Sequence, residues 1–207
     1  KKTGVDALAI SYGTMHGANK GKDVKLRKEI PIAIKECMNH EGIQGVLVSH
    51  GSSTVPQYIV SEINALGGDI KNAYGISKEE LKAAIPCGIG KINVDTDIRL
   101  AVTRNFRELF RDHPELKDDP KVGGIWKLLD EKRDAFDPRA FLAPIMDTVM
   151  YGTGDEGSVA LITDAMRRGV KEAVGTLIVE FGSYGKAPLV EMASLEEMAA
   201  RYAKEGV

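Results

Sequence analysis

Three apolar runs, each ending in polar residues and each followed by a helical pattern, constrain this chain more than any other feature. The first, Val5 to Tyr12, leads into Gly13-Thr14-Met15-His16-Gly17. The second, Gly45 to Ser49, leads into His50-Gly51-Ser52-Ser53. The third, from Gly90, ends in Asn93-Val94-Asp95-Thr96-Asp97. Their lengths and flanks predict buried strands over about 5–12, 45–50 and 90–95. Helical spacing follows each one: Leu26 to Cys37 in a helix that Asp23 caps, running to about Asn39 and bent or shortened by Pro31; Val55 to Leu66, with a further short helix opened by the capping box Ser77-Lys78-Glu79-Glu80; and Ile98 to Phe110. Strand–helix alternation of this kind pairs strands in parallel through right-handed crossovers. The expected fold class is α/β, a (β/α)8 TIM barrel of which only the last three strands lie in this chain. A complete barrel takes about 250 residues.

Beyond Asp112 no further barrel strand is legible. Residues 1–112 therefore read as the C-terminal part of a barrel. Residues 113–135, broken by Pro114, Pro120 and Gly123-Gly124, read as an exposed polar excursion. Residues 136–207 read as a helical extension that contacts another subunit. Within it, Asp137-Pro138-Arg139 opens a helix continued by Met146 to Met150, and residues 151–157 break it. Val159 to Val179 is a further helix weakened by Gly169 and Gly175. A last helix from Ser194 to Ala203 starts with a capping box. The chain opens Lys1-Lys2-Thr3 with a strand pattern close behind, which reads as a piece of a longer protein with its earlier strands upstream.

Bulk properties narrow the function classes. A net charge of −2 gives no basic excess for nucleic acid or an anionic membrane. No apolar run nears the roughly 20 residues that span a bilayer. Cys37 and Cys87 form no disulfide or metal spacing, so both read as packing residues in a reducing cytoplasm.

The chemistry concentrates at the strand ends. His16 and His50 share one local grammar, a strand-end histidine followed by glycine, and imidazoles there are good metal ligands. A catalytic zinc takes three protein ligands, and the chain offers two. His40 and His113 have no strand behind them and read as solvated. Gly51-Ser52-Ser53-Thr54 reads either as a helix N-cap or as an anion cradle of free N–H groups and hydroxyls. Phosphate in barrels sits between the loops after strands seven and eight. If the last two runs are those strands, the loops at Gly51 and Asn93 stand side by side. Lys20 reads either as a solvated lysine or as added charge for the same phosphate. Asp97 reads as a mouth acid or a helix-start charge. Trp126 reads as a surface or an interface anchor.

Four segments then resemble the class II fructose-1,6-bisphosphate aldolases, in order. Gly13-Thr14-Met15-His16-Gly17-Ala18-Asn19-Lys20 resembles their G-T-S-H-G-A-Y-K. His50-Gly51-Ser52-Ser53-Thr54-Val55-Pro56 resembles H-G-S-S-x-V-P, Lys91 to Asp97 resembles K-I-N-[IV]-D-T-D, and Phe136-Asp137-Pro138-Arg139 resembles F-D-P-R. The Calvin-cycle subgroup is the most similar. The resemblance implies zinc on three histidines, two of them His16 and His50, with the third and the proton-moving aspartate on an earlier strand. It implies a ketose 1-phosphate held by Gly17, Lys20, Gly51, Ser52 and Ser53, completed by Asn93, Val94, Asp95 and Thr96. It implies Arg139 at the far phosphate of a neighbouring subunit in a homo-oligomer, and a monovalent cation (Na+ or K+) near the phosphate loops. The implied reaction is reversible cleavage of fructose 1,6-bisphosphate to dihydroxyacetone phosphate and glyceraldehyde 3-phosphate. Zinc would act as Lewis acid on the ketone. Tagatose bisphosphate is an alternative substrate. A catalytically incomplete piece with a structural role and a metal-dependent hydrolase are the other readings. Met15 and Asn19 depart from the family pattern, and the stretch from Tyr151 to Tyr184 is longer than it predicts.

Overall fold

The computed structural model describes residues 2–147 and 156–205. Three short strands, β1 (Ala7–Ala9), β2 (Val46–Ser49) and β3 (Ile89–Ile92), form one parallel sheet in the order β1-β2-β3. Leu8 stands opposite Leu47, and Val48 opposite Lys91. Regular strand is shorter than the apolar runs, but the ladder continues past it. Ile10 N donates to Val48 O at 3.3 Å, Asn93 N to Ser49 O at 2.9 Å and Ser52 N to Asn93 O at 3.4 Å. These bonds carry the backbone of all three runs toward the same sheet end.

Helix α1 (Glu29–His40) joins β1 to β2, α2 (Gln57–Ala65) and α3 (Lys78–Ala84) join β2 to β3, and α4 (Thr96–Asp112) follows β3. Pro31 lies in the first turn of α1, where its missing N–H costs nothing. The helix therefore starts at Glu29 rather than at an Asp23 cap, and Pro31 does not bend it. Its inward face carries Met38, while Cys37 is exposed and does not serve as packing.

The stretch 113–135 differs from the exposed excursion expected. It forms a 3-10 turn (Pro114–Asp118) and helix α5 (Gly123–Glu131), with Leu116, Val122, Ile125 and Leu129 buried. Trp126 joins this core, its ring 5.7 Å from that of Phe110 and under the Lys117 ammonium at 4.2 Å. Polar spacing hid an amphipathic helix of only nine residues. After it, Pro138–Ala140 and Ala143–Ile145 are 3-10 turns rather than one helix. The expected continuation to Met150 and the break at 151–157 fall largely outside the described residues.

Helix α6 (Gly157–Glu180) lies along α4. Gly169 makes that approach possible: a Cβ there would sit 2.9 Å from the Val102 backbone. Arg104 of α4 ties both neighbours, reaching Glu62 of α2 and Glu172 of α6. Helix α4 is buried nearly all round, as a central helix should be. Each fully buried side chain such as Phe106 or Ile162 stabilises by about 1.5–3 kcal/mol. Helix α7 (Leu195–Glu205) ends the described chain, and its capping box is complete, Glu197 N to Ser194 Oγ and Ser194 N to the Glu197 carboxylate. No helix among the described residues is long and apolar enough to cross a membrane.

Candidate active site

At the carboxyl ends of the strands the three loops enclose a cavity of about 530 Å³. His16, Gly17, Lys20, His50, Gly51, Ser53, Asn93, Val94, Asp95 and Thr96 line it, with Lys91 and Ile92. Ten of the twelve residues expected to bind metal or phosphate thus come together. Ser52 and Arg139 do not line it.

Gly51 is the crossing point of the first two loops. Its φ is +64°, which favours glycine. A Cβ there would also sit 2.8 Å from the Met15 carbonyl carbon and oxygen. The contact brings His16 beside His50, with ring centroids 5.9 Å apart. Both imidazoles are exposed to the cavity. His50 also meets the Asn93 side-chain amide, whose Nδ2 lies 3.0 Å from Nε2. His40 and His113 stand elsewhere, the second beside Glu115 at 3.0 Å.

Lys20 is buried, not solvated. Its ammonium donates to the carbonyls of Gly51 and Ser53, the latter at 3.2 Å. Burial pushes its pKa below the usual lysine value, and the charge of Asp97 opposes that shift. Asp97 is buried too, and burial raises its pKa against the bonds it accepts from the Thr54 hydroxyl and from Thr54 N at 2.9 Å. Asp97 therefore clamps the second loop to the start of α4, a use beyond a helix-start charge.

Ser53 completes that clamp. Its Oγ accepts from Thr96 N at 3.0 Å and Asp95 N at 3.2 Å. A serine ahead of α2 thus caps α4 across the loops. The hydroxyl still has its own proton to donate toward the cavity. Ser52 has a different place from the one expected. It is fully buried, with Oγ 2.6 Å from Ser49 Oγ, which in turn meets the Tyr12 hydroxyl. Ser52 braces the loop from beneath and presents no hydroxyl to the cavity.

Outside the rim runs a row of alternating charges. Asp95 holds Arg99 through two bonds, Arg99 reaches Asp137, and Asp137 holds Arg139 at 2.6 Å. The Arg139 guanidinium beside Asp137 keeps that carboxyl below the usual range. Arg139 itself is exposed. Lys91 and Arg99 were missed in the sequence. Two signals could have found them: Lys91 shares a strand face with Asn93, and Arg99 stands one helical turn after Asp95.

Ligands of parallel α/β sheets sit beyond the carboxyl ends of the strands, so fold and cavity together define an α/β protein with a candidate ligand site at that sheet end. The chain belongs to the class-II fructose-bisphosphate aldolase family, whose model matches residues 1–186. The matched residues include helix α6. The chain is 34% identical over 203 residues to fructose-bisphosphate aldolase 2 of Cereibacter sphaeroides, covering 98% of this chain and 46% of that protein. It is 36% identical to the plasmid fructose-bisphosphate aldolase of Cupriavidus necator (97% and 47%) and 35% identical to the fructose-bisphosphate aldolase of Giardia intestinalis (97% and 49%). The chain spans about half the length of the curated relatives it matches.

Proposed function

We propose that this chain carries the last three strands of a (β/α)8 aldolase barrel and supplies the phosphate loops and two metal ligands for cleavage of fructose 1,6-bisphosphate. The observation that carries this reading is the cavity in which His16 and His50 face one another beside the Gly51–Thr54 and Asn93–Asp97 loops. Two imidazoles side by side are a fitting part of a zinc donor set. Among the described residues no three His, Cys, Asp or Glu side chains gather around one point. The reading therefore assigns the remaining ligand and the proton-moving carboxylate to another part of the full-length enzyme. Zinc, when bound, supplies Lewis acidity toward the ketone oxygen.

The chain's own residues do the holding. The substrate's 1-phosphate meets the Lys20 ammonium, the Ser53 hydroxyl proton and the backbone at Gly17 and Gly51. Asn93 directs its amide N–H groups at substrate oxygens near His50, and Val94, Asp95 and Thr96 form the adjoining wall. Fixing both ends of the ketose keeps its reacting carbons beside the histidines, which lowers the entropic part of the barrier. The Gly51 and Ser53 carbonyls already take the Lys20 ammonium. Ser52 supports the loop from below, and Arg139 serves a second copy in a homo-oligomer.

The test is cleavage of fructose 1,6-bisphosphate by the full-length enzyme, before and after zinc is stripped with a chelator and restored. Cleavage lost with zinc and regained with it is expected. Hydrolysis of esters or amides with indifference to ketose phosphates would overturn the reading. The ratio of kcat/KM for the fructose and tagatose bisphosphates separates the two sugars, and fructose is expected to win.

A further inference from the structure

Lys91 lines the cavity and carries neither a metal nor a phosphate role in the proposed function. It stands on β3 two residues before Asn93, so both side chains leave the strand on one face. Its ammonium donates to Asn93 Oδ1. An ammonium has three donors and no acceptor, whereas a carboxamide offers an acceptor at one end and two donors at the other. The contact therefore breaks the near-equivalence of the two amide orientations. With oxygen turned to Lys91, nitrogen must turn the other way. Asn93 Nδ2 accordingly lies against the His50 ring, 3.0 Å from Nε2 and 3.2 Å from Nδ1.

We propose that Lys91 is a positioning residue that fixes the orientation of the Asn93 carboxamide, so that its N–H groups rather than its oxygen face the reaction space beside His50. Preorganised N–H donors stabilise negative charge as it develops on a substrate oxygen. The opposite orientation would set a carbonyl oxygen against the oxygens of an anionic substrate. The role rests on the aldolase reading of the cavity for its catalytic consequence, but the amide orientation itself does not.

Two variants separate the possibilities. Lys91→Met keeps the length of the side chain and removes the donor, while Lys91→Arg keeps a donor. Lys91 is exposed, so neither change disturbs the core. In the zinc-loaded full-length enzyme, Lys91→Met is expected to lower kcat for fructose 1,6-bisphosphate about 10- to 100-fold with KM within about twofold, and Lys91→Arg to recover most of the rate. The second readout needs no turnover. The side-chain amide NMR signals of Asn93 should move in Lys91→Met and stay in Lys91→Arg. Unmoved amide signals in Lys91→Met would overturn the proposal whether or not the protein is an aldolase. So would a raised KM at unchanged kcat, which would make Lys91 a direct substrate contact. A wild-type enzyme without cleavage activity but with the expected amide response would sink the aldolase reading alone.

Discussion

Histidine followed by glycine carries the site at the scale of single residues. The proposed function makes the histidines metal ligands, and Gly51 allows the two loops to touch, because any Cβ would strike the Met15 carbonyl. That grammar was legible in the sequence. The division of labour between neighbouring serines was not. Ser52 faces the buried row of hydroxyls and Ser53 caps a helix 43 residues away, and each depends on a tertiary partner that spacing does not reveal. Lys20 was ambiguous for the same reason: only folding brings the carbonyls of Gly51 and Ser53 to its ammonium. Arg139 illustrates the opposite case. Its motif was legible, but its side chain rests on Asp137 outside the cavity. If it serves the far phosphate of a neighbouring subunit, Arg139→Ala should raise KM for the bisphosphate at least tenfold, the factor expected for losing about 1.4 kcal/mol of binding. KM for a monophosphate sugar should stay within twofold. Equal effects in steady-state kinetics on both sugars would argue against that contact.

Elements were read well where a long stripe decided them and poorly where a partner did. Helix α4 follows its apolar spacing, and α6 and α7 match their expected spans closely. The start of α1 was misread because residues 25–28 are held by a distant carboxylate. Glu80 accepts from Leu26 N at 2.9 Å and from the Lys28 ammonium at 2.7 Å. Its partner Ser77 still caps α3, so the capping box predicted there is half made. The Lys28 ammonium and the Leu26 N–H hold the Glu80 carboxyl down to about 2. A depressed folded-state pKa stabilises above the ordinary carboxylate value of 4.5 and loses that contribution as pH falls from there toward 2. Thermal unfolding between pH 6 and pH 3 should therefore fall more steeply for wild type than for Glu80→Gln. At pH 6 the variant should be less stable by about 1.5–3 kcal/mol, the range for a hydrogen bond to a charged group. Parallel pH curves for the two proteins would remove Glu80 as the clamp.

The whole molecule shows how an α/β sheet turns chain order into a site. Parallel pairing forces every strand to end on the same side, so three loops tens of residues apart meet at one cavity. This convergence followed from strand–helix alternation before any distance was known. The core around α4, α5 and α6 did not, because the polar stretch after Asp112 concealed its buried face. Under the proposed function, the two imidazoles and the loops beside them are one part of a larger site, and the chain spans about half the length of its relatives. The central claim is that His16 and His50 hold the zinc on which turnover depends. It is tested most directly by measuring bound zinc and fructose 1,6-bisphosphate cleavage together in the full-length enzyme and its His50→Ala variant. Loss of both zinc and activity is the predicted result; a variant that keeps its full zinc content and its rate would contradict the account.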